Sequence, residues 1–363
     1  MLKMTKEQVL EALSHVHDPD LKKDLVTLNM IQNISIDGNK VKFMLVLTTP
    51  ACPLKDLLKK QCKDAILKYA DPYAEVEIEL SSQVTTIRKQ AEELLKGVKN
   101  IIAVGSGKGG VGKSTVAVNL AVALANSGAK VGLLDADIYG PSIPIMFGLQ
   151  NDRPRVIEKD GKNWIIPIEK FGLKVLSIGF FVDQSKALIW RGPMISTALK
   201  QLLSEAIWDD LDYMVIDLPP GTGDIPLTLI QNFPLTGAII VSTPQEMAIA
   251  DVRKAADMFN TEAIKIPILG LVENMSYFVP PDMPDKKYYI FGTSGCAKFA
   301  KELSIPILGQ IPIVTAISDA GDDGRPVATV KGSPITLAFA ELAEAVAQQV
   351  AIHNAIKETI GAN

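Results

Sequence analysis

The sequence predicts an α/β protein, with a doubly wound, mostly parallel sheet domain over residues 99–363 and a small α/β domain over residues 1–80 ahead of it. Three observations carry this prediction. From about Asn100 onward, short apolar strand-like runs alternate with helical patterns, as buried parallel strands joined by helices require. Before residue 80, two stretches of helical periodicity flank a hairpin signal. Between the two regions, residues 81–98 are polar and charged without a strong apolar stripe, and read as a partly helical connector.

In the small domain, Thr5-Lys6-Glu7-Gln8 can cap a helix whose apolar face is Val9, Leu10, Leu13 and Val16. Asp18-Pro19-Asp20 stops it, because the residue before proline is pushed out of the helical region. A strand over Ile31–Ile36 turns at Asp37-Gly38 into a second over Val41–Leu47. Thr48–Pro53 is a turn, and Leu54, Leu57, Leu58, Cys62, Ile66 and Tyr69 then recur at helical spacing. Ala74–Leu80 alternates like another strand. In the large domain the strand candidates are Ile101–Val104, Val131–Leu134, Val175–Ile178, Tyr213–Ile216, Ala238–Val241, Ile268–Val272 and Ile307–Gln310. A last helix is expected over about Pro334–Ile356.

With 363 residues the chain has ample length for a normal core, and 47% hydrophobic with 21% charged residues is an ordinary globular balance. A net charge of −4 provides no global basic field to recruit nucleic acid. The N-terminus lacks a signal-peptide pattern, and no window approaches the roughly 18 uninterrupted apolar residues of a membrane span. Cys52, Cys62 and Cys296 cannot build a disulfide framework, so a reduced, cytoplasmic protein is expected.

Residues 107–115 read Gly-Lys-Gly-Gly-Val-Gly-Lys-Ser-Thr, and Gly107-x-x-x-x-Gly112-Lys113-Ser114 matches the P-loop pattern. The context fits, with an apolar strand before it and a helix (Val116–Asn126) after it. Gly107, Gly109, Gly110 and Gly112, with Val111, let backbone N–H groups turn around phosphate oxygens, and the helix N-terminus adds partial positive charge. Lys113 is expected on the β- and γ-phosphates, Ser114 on Mg²⁺ and Thr115 nearer the α-phosphate, so the segment predicts binding and hydrolysis of ATP. A glycine-rich turn without a ligand is the bland alternative. Ligands of open α/β sheets lie at the carboxyl ends of strands. There, Asp135-Ala136-Asp137 follows one strand and Asp217 another. Asp217 fits an Mg²⁺-holding role, against the common use of aspartate as a helix cap. Leu218–Asp224 has the prolines and glycines of a loop that could sense the γ-phosphate, or of a rigid turn.

With its second lysine, Lys108, this loop resembles the deviant Walker A loop of the nitrogenase-iron-protein, MinD and ParA class. The resemblance implies a homodimer in which Lys108 reaches the partner's nucleotide and stabilises phosphate charge as an arginine finger does. A solvated loop lysine is the alternative. It also implies that Asp137 orients or activates the attacking water, that Asp135 supports the loop, and that Asn274 contacts adenine, unless Asn274 is a plain turn residue.

Four further phrases, Asp135–Ser142, Trp190-Arg191-Gly192-Pro193-Met194, Asp217–Asp224 and Val272-Glu273-Asn274-Met275-Ser276, resemble the Mrp/ApbC family of iron–sulfur cluster carrier ATPases over about residues 98–355. Asp18-Pro19-Asp20-Leu21 and Thr49-Pro50-Ala51-Cys52-Pro53 resemble the SufT-like domain often fused ahead of it. The resemblance implies iron–sulfur donor or recipient proteins as partners. One departure is plain: the family's Cys-x-x-Cys after the Val-Glu-Asn-Met phrase is replaced by Ser276–Asp285, which has no cysteine. Cys62 then reads as a core residue. Cys52, at a helix start, reads either as a thiolate with a ligand or transfer role or as buried packing. Cys296 reads as a candidate iron–sulfur ligand or as a structural cysteine at a helix start. A second function stays open: a nucleotide-switched positioning module of the ParA/MinD type without bound metal. Its membrane form predicts a basic amphipathic C-terminal helix, which Glu341–Asn363 does not supply, so stable membrane association is not expected. A metabolic kinase is a third option, for which no acceptor site is discernible.

Overall fold

A computed structural model of the chain describes residues 4–88, 95–181, 192–262, 264–280, 282–283 and 285–361, with side chains at 192–196, 224, 232 and 360–361 excepted. The chain divides into two compact units, residues 1–86 with 347–363, and residues 87–346. The sequence reading ran the second domain to residue 363; the structure groups residues 347–363 with the N-terminal unit instead.

In the first unit, α1 (Lys6–Ser14) starts at a capping box, in which the Gln8 N–H donates to Thr5 Oγ1 and the Thr5 N–H to Gln8 Oε1. β1 (Ile31–Asp37) and β2 (Lys40–Leu47) form the expected antiparallel hairpin, with Gly38 at φ +61°. α2 (Lys55–Tyr69) carries the chain across to β3 (Glu75–Ser82), which pairs parallel with β2. Strand alternation turns Val41, Phe43, Leu45 and Leu47 of β2 inward, where they meet Val9 and Leu13 of α1 and Leu58, Cys62 and Ile66 of α2. The other face carries the exposed Lys42 pairs with Glu77 (2.8 Å) and Glu79 (2.6 Å), which are worth little in water. β3 claims residues 81 and 82 from the expected connector, and residues 83–88 are irregular. Residues 89–94 of that connector lie outside the described residues.

In the second unit, β4 (Val98–Ser106) leads into α3 (Lys113–Asn126), followed by β5 (Val131–Asp135) and a short α4 (Ile143–Met146). Next come β6 (Arg155–Lys159), β7 (Lys162–Ile166), β8 (Ile168–Lys170) and β9 (Leu173–Ser177). Then follow α5 (Gly192–Ser204), β10 (Leu211–Asp217), α6 (Asp224–Asn232), β11 (Gly237–Ser242) and α7 (Glu246–Asn260). The unit closes with β12 (Ile268–Glu273), α8 (Gly295–Leu303), β13 (Ile307–Gln310), α9 (Thr315–Asp322) and the start of α10 (Pro334–Gly361).

Among the described residues, eight strands form one sheet in the order β13-β12-β11-β4-β10-β5-β9-β8, parallel except for β8 at the edge. β4, β10, β11 and β5 are buried on both faces, which explains their unbroken apolar runs. α3 is buried nearly all round, so its Val, Leu and Ala content shows no single apolar stripe. Every strand expected in this domain is present. The β6–β7 hairpin and β8 were not expected. Asp160-Gly161 between β6 and β7, with φ +55° and +71°, makes a two-residue hairpin turn that the sequence signalled. By length and composition alone Pro334–Thr359 is apolar enough to cross a membrane, with a mean hydropathy of 1.3 and 39% burial over its 18-residue window.

Candidate nucleotide-binding site

The sheet order puts β4 between β10 and β11, so the chain leaves β4 at the point where strand order reverses, and the crevice for a ligand opens there. Register does the rest. Asp217 of β10 sits opposite Val104 of β4 on one side and Asp135 of β5 on the other, and Asp135 sits opposite Ser177 of β9. Three polar side chains therefore stand in one row at the carboxyl edge.

The loop 107–112 curls ahead of α3 with Gly110 and Gly112 at φ +81° and +78°, a left-handed conformation that favours glycine. Gly112 has a further reason to be glycine: a Cβ would fall 2.2 Å from Asn274 Nδ2. At Gly107 a Cβ would lie 2.3 Å from the Asp251 backbone. Ser106 Oγ donates to the Lys108 carbonyl at 3.0 Å, and the Gly221 N–H donates to the Ser106 carbonyl at 3.0 Å, tying the loop after β10 to the P-loop. Lys108 is half-buried, and Gly109 and Gly110 are exposed.

Lys113 is the centre of the site. Its ammonium, nearly enclosed, lies 2.6 Å from Asp217 Oδ1 and 3.9 Å from Asp137 Oδ2, and it donates to Ser114 Oγ at 3.3 Å. The two carboxylates and the lysine predicted from distant segments are thus brought into one cluster. Burial raises the Asp217 pKa above the usual carboxylate range, while the Lys113 charge and the Lys113 and Ser114 hydrogen bonds oppose the rise. Its Oδ2 is buried without a partner. An orphaned, anionic oxygen beside a serine hydroxyl is a donor set that suits a hard divalent cation.

Asp135 is wholly buried, and burial followed by the Asp217 charge pushes its pKa up to about 8. It accepts from the Asp137 N–H (3.1 Å), the Ile143 N–H (3.3 Å) and Ser177 Oγ (2.9 Å). Asp137 in turn accepts from the Gly140 N–H at 3.3 Å. Asp135 therefore supports the loop bearing Asp137, as the resemblance implied. Ser177 was not singled out in the sequence; the only signal was a polar residue ending an apolar strand.

Asn274, just past β12, donates from Nδ2 to the Val111 carbonyl at 2.9 Å. Beside it a pocket of about 470 Å³ is lined by Gly112, Thr115, Asn274, Met275, Pro312 and Ile313, among others. This is space for a nucleoside next to the phosphate cradle. Thr115 faces it at the start of α3.

The three cysteines are all buried, and none is in a disulfide. Cys62 is in the first unit's core, where burial pushes its thiol up to about 12. Cys52 is 8% exposed. Cys296 is fully buried, and its thiol donates to the Thr243 carbonyl at 3.6 Å. Burial, and then the Glu273 charge, raise its pKa, so the thiolate that a metal requires is disfavoured in this conformation. Among the described residues no group of three or more His, Cys, Asp or Glu side chains has the arrangement of a metal site. Trp190 and Arg191 of the phrase at 190–194 lie outside the described residues.

Comparison with known proteins agrees with this architecture. Residues 97–347 match the family model described as NUBPL iron-transfer P-loop NTPase, and residues 6–80 match that of an iron–sulfur cluster assembly protein. The chain is 45% identical over 349 residues to an iron–sulfur cluster carrier protein of Synechocystis, covering 96% of this chain and 97% of that one. It is 43% identical to the iron–sulfur cluster carrier protein of Escherichia coli K12, covering 95% and 92%. Among solved structures, a nucleotide-binding protein of Archaeoglobus fulgidus in complex with ADP is 42% identical, with a TM-score of 0.56, covering 64% of this chain and 88% of that one. The cell-division ATPase MinD of Pyrococcus furiosus, 24% identical with a TM-score of 0.50 over 68% of this chain and 98% of that one, shares the fold. The chain therefore belongs to the NUBPL iron-transfer P-loop NTPase family, of the Mrp/ApbC type, with an iron–sulfur cluster assembly module preceding the NTPase module in sequence.

Proposed function

We propose that this protein is a cytoplasmic homodimeric ATPase that couples ATP binding and hydrolysis to iron–sulfur cluster handling. The observation that carries the ATPase half is the buried cluster of Lys113, Asp137 and Asp217 at the mouth of a glycine-rich loop. In this reading the P-loop N–H groups and Lys113 hold the β- and γ-phosphates, which requires Lys113 to leave Asp217. Ser114 and Asp217 would hold Mg²⁺, whose chemistry is to neutralise charge on the phosphate oxygens. Asp137, fixed by Asp135 and the Gly140 N–H, orients the attacking water and takes up its proton. Lys108 of the partner subunit would stabilise charge on the γ-phosphate from outside. Three buried cysteines outside any disulfide accord with a reducing compartment. The kinship with cluster carriers supports the cargo. Phosphate release by the purified protein tests the first half: release abolished by Lys113→Ala supports it, and no release in the intact protein sinks it. Reconstitution with iron and sulfide tests the second, with cluster absorbance expected in the intact protein.

One observation favours a second reading, a nucleotide-dependent positioning switch without bound metal. The Cys-x-x-Cys is missing and Cys296 is sealed in the core. No cluster absorbance, together with ATP-dependent binding to a partner protein, would select this reading over the first.

A further inference from the structure

Behind the nucleoside pocket lies a buried carboxyl group that neither phosphate chemistry nor apolar packing accounts for. Glu273 closes β12 and is 2% exposed. Its Oε1 accepts from Ser276 Oγ at 2.5 Å and from Gln310 Nε2 at 2.9 Å. Its Oε2 is buried without a partner. Its charge also helps to raise the pKa of the Cys296 thiol, after burial. The hydrogen-bond partners the structure gives it are a hydroxyl and an amide. Burying a carboxyl with one oxygen unsatisfied costs stability relative to an apolar residue of similar size, so its presence asks for a reason.

The reason lies in what it ties together. Ser276 is three residues beyond Glu273, and the turn between them presents Asn274 and Met275 to the pocket. Met275 sits at φ +54°, which a side chain adopts at a cost unless its surroundings hold it. Gln310 ends β13 opposite Glu273, and the chain beyond it forms the facing wall with Pro312 and Ile313. Backbone bonds repeat the tie: the Ile311 N–H donates to the Glu273 carbonyl, and the Ser276 N–H to the Ile311 carbonyl, each at 2.9 Å. One carboxyl group thus joins both walls of the pocket.

We propose that Glu273 is a positioning residue for the nucleotide base: with Ser276 and Gln310 it sets the spacing of the two pocket walls, and so nucleotide affinity, without touching the reacting phosphates. The inference rests on the reading of this pocket as the base site. Losing the clamp loosens contacts to the base alone. Glu273→Ala is therefore expected to weaken ATP and ADP binding and to raise KM by about tenfold, with kcat at saturation within about twofold. Affinity for inorganic tripolyphosphate, which has phosphates and no base, stays as in the unmodified protein. Glu273→Gln keeps an oxygen for Ser276 and recovers most of the affinity. Ser276→Ala and Gln310→Leu each remove one arm and give smaller losses of the same kind; they carry the test if Glu273→Ala does not fold.

Ser318→Trp, which fills the pocket, separates the two ideas. Unchanged nucleotide binding in that variant overturns the base-site reading. Weak binding there, with ATP affinity unchanged in Glu273→Ala, Ser276→Ala and Gln310→Leu, overturns the clamp. Equal losses for ATP and tripolyphosphate also overturn it, because a general disturbance of the domain spares neither ligand.

Discussion

Replacing Lys113 by methionine removes the positive partner of a wholly buried carboxylate and leaves its neighbours in place. At the 2.6 Å separation seen here, an effective dielectric constant of about 20 gives a gross attraction of roughly 6 kcal/mol. Desolvation of the two ions costs several kcal/mol each, so the intact pair contributes little net stability. The single variant keeps the cost of burying Asp217 and loses the attraction, which places the expected destabilisation at about 3–5 kcal/mol near neutral pH. At a urea slope of about 2–3 kcal/mol/M, that is a midpoint shift of roughly 1–2 M. The assay is urea unfolding without nucleotide, followed by tryptophan fluorescence, since Trp164, Trp190 and Trp208 all fall in the second unit. Combining Lys113→Met with Asp217→Asn removes the stranded charge and should recover about half the loss or more. The pH dependence has a definite sign. The folded-state pKa of Asp217 is already raised by burial and rises further without Lys113. A proton bound in the folded state and released on unfolding stabilises at low pH, so the single variant's deficit grows as pH rises above the ordinary carboxylate range. A single variant as stable as the intact protein, or a double variant less stable than the single, would refute the reasoning.

Three further outcomes follow from the same geometry. Lys108→Ala should lower the rate of phosphate release by about a hundredfold or more while nucleotide affinity changes by only a few-fold, because it acts on transition-state charge; equal losses in both would remove it from that role. Ser177→Ala frees Asp135, and with it the Asp137 loop, so kcat should fall roughly ten- to a hundredfold at unchanged KM; an unaltered kcat refutes the link. His353 has its pKa lowered by burial and then by Lys357, and its Nε2 has no partner. The unfolded chain therefore takes up the proton first, and stability should fall as pH drops below about 6.5. His353→Gln should flatten that slope in circular-dichroism melts, and an unchanged slope counts against it.

Much of the site was legible because phosphate binding is local chemistry. The turn glycines, the lysine and the metal-holding hydroxyl must be contiguous to wrap one phosphate chain, so residues 107–115 announce themselves. Strands were legible wherever both faces are buried, since the apolar run is then unbroken. The β6–β7 hairpin escaped because its strands are largely exposed and carry no such run, although Asp160-Gly161 marked its turn. Ser177 and Glu273 escaped for another reason. Each draws its meaning from partners 42 and 37 residues away, Asp135 and Gln310, which only parallel pairing aligns.

By itself, then, the sequence determined the phosphate loop, the alternation that makes a doubly wound sheet, and the absence of the family's Cys-x-x-Cys, because each is written in consecutive residues or in a short period. Tertiary structure decided which carboxylate Lys113 grips, that Asp135 carries the Asp137 loop, and that Glu273 binds both walls of the pocket. It also decided between the two readings of Cys296: its thiol is fully buried and donates to the Thr243 carbonyl, which only the folded core could show.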